Sequence, residues 1–375
     1  MSRKLTMERA RGDIDCLSRA GLELETFLEE ATTSLRRAVP WVSACLGTSD
    51  PATGLLTSDR KYGDLRSVDA HDHEFGLLEY GTSEPTAFNA LAKAASPAGG
   101  VHLAHAGDVQ ASGRMRQFMA PHFGFGDEAR VVFREGDRTW GALALFRGTD
   151  DEPFDEADVV FIASLSAAFA RGVRTGMLTR IAGTLPASPG GPAVLIVDRA
   201  GRLVQRSAHT AARLAELTGG GLEGDPTSSI GALIGAARRY AAGETRTLPR
   251  CRIRSANGQW FVLHASPLSG AGDDRAGEVV ITIEEARPPE IVPLVVAAFG
   301  LTLRERDVTQ LVLQGADTKE IAATLHLSSY TVQDHLKAIF VKAAVRSRRE
   351  LISRIYFDQY VPRMGAELAP SGWFA

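Results

Sequence analysis

Helix-start signals crowd the stretch from Thr302 to Ser347, and their spacing leaves room only for short helices. TLRE, Thr302 to Glu305, is a capping box: the threonine hydroxyl takes an orphan amide and the glutamate reaches back to the cap. Val308, Leu311 and Val312 then share one face, and Gly315 ends that helix. DTKE, Asp317 to Glu320, starts a shorter helix with Ile321, Ala322 and Leu325 inward, and His326-Leu327 makes the next turn. Ser328 caps a third helix. SRRE, Ser347 to Glu350, opens a fourth, with Leu351, Ile352 and Ile355 apolar. So punctuated, the segment predicts an all-α four-helix domain.

The third helix carries its message on two faces. Val332, Leu336, Ile339 and Phe340 stand at i, i+4, i+7 and i+8, one apolar stripe. Tyr330, Gln333, Asp334 and Lys337 project from the opposite side. A short turn followed by such a helix is the layout of a helix-turn-helix, whose second helix crosses the DNA backbone and whose third enters the major groove. Charge supports that partner. The whole chain has a net charge of -3, yet residues 328–354 hold Lys337, Lys342, Arg346, Arg348, Arg349 and Arg354 against Asp334 and Glu350. A chain acidic elsewhere and basic here presents this surface to duplex DNA.

The remainder of the 375 residues is long enough for two further domains. Cys16, Cys45 and Cys251 are far apart and form no C-x-x-C pair, which reads as reduced thiols rather than a disulfide frame or zinc site. No apolar signal region follows the polar start MSRKLTMERARGDID, and the apolar stretch Ile291 to Leu303 is too short to span a bilayer. These features predict a cytoplasmic protein with no membrane partner.

Two punctuated joints divide the chain: GTLPASPGGP, Gly183 to Pro192, and EEARPPE, Glu284 to Glu290, where paired prolines must end a strand before the next helix. Before the first joint, Leu22, Leu24, Phe27, Leu28, Ala31 and Leu35 mark a helix. ARVVFREGDRTWGALALFR reads as a hairpin around Glu135-Gly136-Asp137. FDEADVVFIASLSAAFARGV, with Val159, Ile162, Ala163, Leu165 and Phe169 apolar, reads as a long amphipathic helix. This α+β order, with the strand W-G-A-L-x-L-x-R, resembles a GAF domain over residues 1–180.

Between the joints, AVLIVDRAGRLVQRS places two strands about the turn Asp198-Arg199-Ala200-Gly201. Helical HTAARLAEL and SIGALIGAARRYAAG follow, then strands CRIRSA, QWFVLHASPL and EVVITIEE. That order resembles an α+β PAS domain over residues 190–286. A phosphoacceptor receiver is the competing reading of LIVD, but Asp198 is followed by Arg199 where receivers carry an acidic pair. Residues 287–300 are read as a connecting helix and 301–361 as the DNA-binding domain.

The run from Leu301 to Leu351 resembles the LuxR-type helix-turn-helix over its whole length. The matching residues are L-T-x-R-E, Gly315, K-E-I-A, L-x-L-S, T-V-x-x-H, Lys342 and V-R-S-R at 345 to 348. The resemblance implies that Gln333, Asp334 and Lys337 occupy base-reading positions. It also implies backbone contacts for Lys319, Thr331, Lys342, Arg346, Ser347 and Arg348, with Ser328 counted in the same DNA-binding set. Asp334 has a second reading as an i,i+3 partner of Lys337. Ala344 stands where the family often has Gly; a left-handed φ there would cost about 1 kcal/mol.

Other motifs point to less. His71 to Glu74 (HDHE), with His102 and His105, has metal-ligand residue types but no third anchored ligand, so loop histidines are the plainer reading. GGGLEGDPTSS, Gly219 to Ser229, lacks the lysine of a phosphate-binding loop. FDEAD at 154–158 lacks the upstream Asn-Lys that accompanies cyclic-nucleotide binding in some GAF domains. No catalytic residue, metal or cofactor is expected. The sequence predicts a transcriptional regulator acting as a homodimer on double-stranded DNA, with RNA polymerase and a small-molecule ligand left open as partners. The alternative is a GAF/PAS signalling enzyme or a protein-interaction module.

Overall fold

Helices Arg3–Arg19 (α1) and Leu24–Ala38 (α2) precede the first strand in the computed structural model, which describes residues 3–66, 68, 70–178, 191–218, 227–255, 258–268 and 277–357. The sequence reading missed α1 because its buried stripe is one residue wide, Ala10, Ile14 and Ser18. Its start is tied down by Arg3, which lies 2.7 Å from Asp155 and 2.6 Å from Asp158.

Strands Ser43–Ser49 (β1) and Leu56–Gly63 (β2) are followed by helices Asp72–Gly81 (α3) and Phe88–Leu91 (α4). Strand Ala98–Gly100 (β3) and helices Val101–Ala104 (α5) and Ala120–Phe123 (α6) lead to strands Phe125–Glu135 (β4) and Arg138–Gly148 (β5), then helix Glu156–Met177 (α7). The five strands form an antiparallel sheet in the order β2-β1-β5-β4-β3. The expected hairpin is present: Glu135 pairs with Arg138 across Gly136-Asp137, where Gly136 supplies a φ of 63°. Alternation along β5 divides the core. Ala142, Ala144 and Phe146 join Phe88, Phe118 and Phe125 in one cluster, while α7 brings Phe169 onto Phe133 with stacked rings 4.7 Å apart.

The second sheet contains Ala193–Val197 (β6), Leu203–Arg206 (β7), Arg250–Arg254 (β8), Trp260–Pro267 (β9) and Val279–Glu285 (β10). Helices Thr210–Thr218 (α8) and Thr227–Ala241 (α9) lie between β7 and β8 in the chain. Its order, β7-β6-β10-β9-β8, repeats the permutation of the first sheet. Asp198 makes the β6–β7 turn by accepting from the amides of Ala200 and Arg202, each at 2.9 Å. The breaker joint at residues 183–190 and the glycine-rich loop at 219–226 lie outside the described residues.

The two sheets share a compact unit. Leu55, Leu56 and Tyr80 belong to the same buried cluster as Leu195, Phe261 and Ile281. Helices α3 and α9 meet almost backbone to backbone. A Cβ on Gly76 would lie 2.3 Å from the Ser228 carbonyl oxygen, and one on Gly231 2.3 Å from that of His73. Buried Asp50 and Arg252 add an ion pair at 2.6 Å.

A second unit holds Pro288–Ala298 (α10), Leu303–Leu313 (α11), Thr318–Leu325 (α12), Ser329–Lys342 (α13) and Arg348–Ile352 (α14), which widens into a turn at Ser353–Phe357. The proline pair opens α10, and Glu290 accepts the Arg287 amide at 2.8 Å. Ile291, Leu294, Val295 and Ala298 are buried, and α10 packs on the turn 353–357. Among the described residues no helix is long and apolar enough to cross a membrane.

Candidate nucleic-acid interface

Local hydrogen bonds set the four C-terminal helices. Glu305 accepts the Thr302 amide at 2.7 Å, and the Thr302 hydroxyl accepts the Glu305 amide at 3.3 Å. Asp317 accepts from Lys319 and Glu320 at 2.7 and 2.9 Å; these amides hold its carboxyl below the usual range. Ser328 accepts the Thr331 amide at 3.0 Å, and Ser347 that of Glu350 at 3.2 Å. All four starts predicted from sequence are therefore made by the residues named.

The helix ends are equally local. The amides of Ala316, Leu327 and Val345 bond back to the carbonyls of Leu311, Ala322 and Phe340 at 3.0, 2.9 and 2.9 Å. Each six-residue closure needs a left-handed residue inside it, and these are Gly315, His326 and Ala344, with φ of 87°, 54° and 51°. The strain suspected at Ala344 is thus present. The close at His326 sends the chain from α12 into α13 within a few residues, giving the helix-turn-helix.

Val332, Leu336 and Ile339 are buried as α13 packs on α11 and α12, and Phe340 is half-buried. The opposite face is open: Tyr330 is 72% exposed, and the side chains of Asp334 and Lys337 are 50% and 73% exposed. Gln333 is also exposed, and His335 is half-buried. The Lys337 ammonium sits 3.2 Å from Asp334, the i,i+3 pair that formed the second reading of that carboxylate. An amide, a carboxylate and an ammonium side by side can address the donors and acceptors on base edges in a major groove.

The residues expected at the DNA backbone divide into two groups. Lys319 and Arg346 are exposed, as is Arg349. Ser328 caps α13 and lies hydroxyl to hydroxyl with Thr331 at 2.8 Å, and Ser347 caps α14. Lys342 and Arg348 are instead engaged within the domain, although Lys342 remains exposed. Lys342 Nζ lies 2.8 and 2.6 Å from the two carboxylate oxygens of Glu305. Arg348 donates to the Ala316 carbonyl at 2.7 Å and to the Thr318 hydroxyl at 3.0 Å, bracing the α11–α12 corner. Sequence reasoning read Glu305 only as a capping acid and passed over Ala316 and Thr318. No local signal marks these partners, because they are joined through the fold.

The bacterial regulatory proteins of the luxR family match residues 300–355, the span of α11 to α14. The monoamine regulon transcriptional regulator of Klebsiella aerogenes is 36% identical over a stretch covering 20% of this chain and 37% of that protein. This chain thus spans well under half the length of that relative, and the match speaks for the C-terminal domain. The solved Vibrio cholerae VqmA dimer, a LuxR-type receptor, is 17% identical, covering 44% of this chain and 82% of that one at a TM-score of 0.20, too weak a likeness to carry any argument. The spore germination protein GerE of Bacillus subtilis is 40% identical over 52 residues, covering 14% of this chain and 70% of that protein. Through its C-terminal helix-turn-helix domain, the chain belongs to the luxR family of bacterial regulatory proteins.

Proposed function

We propose that this protein is a cytoplasmic, sequence-specific transcriptional regulator that binds double-stranded DNA as a homodimer and is modulated by a signal received in its N-terminal sheets. The observation that carries the DNA-binding reading is the exposed face of α13, Tyr330, Gln333, Asp334 and Lys337, held by buried Val332, Leu336 and Ile339. In this reading Gln333, Asp334 and Lys337 meet base edges; Lys319, Arg346 and the hydroxyls of Ser328, Thr331 and Ser347 meet phosphates. The residues 1–180 are read as a GAF-like domain, 190–286 as a PAS-like domain and 287–300 as a connecting helix to the DNA-binding domain at 301–361. The repeated strand order of the two sheets supports a pair of related sensor folds.

A salt titration tests the reading. The full chain should bind a labelled duplex with a log affinity that falls linearly with log salt, at a slope set by the phosphates it neutralises. A protein that uses the helix-turn-helix to contact other proteins would show no such slope on DNA.

A further inference from the structure

Three side chains from two separate segments converge in the first sheet domain, one of them, His71, in the wall of an apolar cavity. His71 precedes α3, Glu74 lies in its first turn, and His122 comes from α6. The two imidazoles face one another with centroids 4.0 Å apart and a 32° tilt. One carboxylate oxygen of Glu74 lies 3.7 Å from His71 Nδ1 and 3.5 Å from His122 Nε2. One nitrogen of each ring and an oxygen of Glu74 all fall within 4.8 Å of one another. His71 does not cap α3 with its side chain, and among the described residues the ring nitrogens of His71 and His122 meet only the Glu74 carboxylate.

From these observations we propose that His71, Glu74 and His122 form a binding site for a divalent transition cation of the zinc class. Two imidazoles and a carboxylate are the donor set such cations take when one coordination position stays open. Bonds of about 2.0–2.2 Å in a tetrahedral site place neighbouring donors roughly 3.3 Å apart. The observed 3.5 and 3.7 Å from Glu74 to the two rings approach this, and the Glu74 side chain is 55% exposed. Phe118 and Phe123 stand edge-on to the His71 ring at 6.1 and 5.7 Å and limit its tilt. His71 also lines the adjoining cavity of about 40 Å³, which has room for a water-sized ligand. Sequence spacing concealed the site because its third ligand lies in a distant helix. His102 and His105, the other histidine pair marked in the sequence, join no such group among the described residues.

The proposal predicts that the full chain, stripped with chelator and dialysed, takes up one Zn²⁺, and that Co²⁺ in its place gives the visible absorption of a low-coordinate nitrogen–oxygen site. Bound metal should raise the unfolding temperature, since it binds the folded chain alone. His122→Gln should weaken Zn²⁺ binding at least about tenfold and remove the Co²⁺ band. Glu74→Gln alters an exposed side chain that threatens no packing and should also weaken Zn²⁺ at least about tenfold. A His102→Ala/His105→Ala double variant should bind as the unaltered chain does. Absence of Zn²⁺ uptake by the unaltered chain would overturn the site and leave a plain histidine–carboxylate contact. Undiminished binding by Glu74→Gln and His122→Gln, or loss of binding in the double variant, would overturn it equally.

Discussion

The Lys342 ammonium closes on Glu305, with Nζ 2.8 and 2.6 Å from the two carboxylate oxygens, and so ties the last turn of α13 to the cap of α11. Lys342→Met should therefore destabilise the helical unit by about 1–3 kcal/mol, because it strands a largely buried carboxylate. Its effect on DNA affinity should follow the loss of folded protein, and adding Glu305→Gln should recover part of the stability. Amide exchange of α11 and α13 in the full chain reads both effects. Unchanged protection with weakened DNA binding would return Lys342 to a phosphate contact.

The same pair sets a pH dependence. Burial opposes ionisation of Glu305, but Lys342 and the Thr302 amide outweigh it and hold the carboxyl below its ordinary value of 4.5. A depressed native value contributes stability that is fully present above the unfolded value and is lost as pH falls through the native one. The protection of α11 should thus hold at neutral pH and decline as pH is lowered below about 4.5. Lys342→Met should blunt that decline; a decline of the same size in the variant would remove the pair as its cause.

Ala344 is an L-residue at φ 51° inside the closure that ends α13. Ala344→Gly should stabilise the helical unit by about 1 kcal/mol, as the left-handed strain is relieved and outweighs the added freedom of the unfolded chain. Slower amide exchange across α13 in the variant is the expected result, and faster exchange would contradict the strain.

The glycine contact between α3 and α9 should be intolerant of one methyl group. Gly231→Ala directs a Cβ to 2.3 Å from the His73 carbonyl oxygen and should cost about 1–3 kcal/mol in the sheet-containing unit. Gly12, with nothing within 4 Å of its Cβ position in α1, should accept alanine with a gain of up to about 1 kcal/mol. Thermal unfolding of the two variants beside the unaltered chain checks the contrast, and equal shifts would contradict it.

What the sequence disclosed and what it hid divide by range. Thr302, Asp317, Ser328 and Ser347 each bond within four residues of themselves, so composition at fixed offsets was enough to find every helix start. The hairpin at Gly136 and the turn at Asp198 were legible for the same reason. Helix α1 escaped because helices α2 and α7, rather than its own apolar content, hold it in place. Arg348 at Ala316 and Thr318, Lys342 at Glu305, and His122 beside His71 are contacts between distant segments. A net positive count for residues 328–354 could not say which cations face outward.

Asp334 is an anion on a surface proposed to meet phosphates, and it holds Lys337 at 3.2 Å. Asp334→Ala should tighten binding to a scrambled duplex and steepen its salt dependence by up to about one unit. Where Asp334 accepts from a cytosine amine, the same change should relax preference at one base pair by about 1–3 kcal/mol. Weaker binding to scrambled DNA would show that the carboxylate orders Lys337 rather than competing with phosphate.

The outward face of α13 as the base-reading surface is tested most directly by Gln333→Ala. A duplex is first selected from a random pool by the unaltered full chain, and affinities for it and for a scrambled duplex are measured by fluorescence anisotropy at matched salt. The account predicts a loss of about 1–3 kcal/mol on the selected duplex and almost none on the scrambled one. Equal loss on both duplexes, or no loss on the selected one, would contradict it.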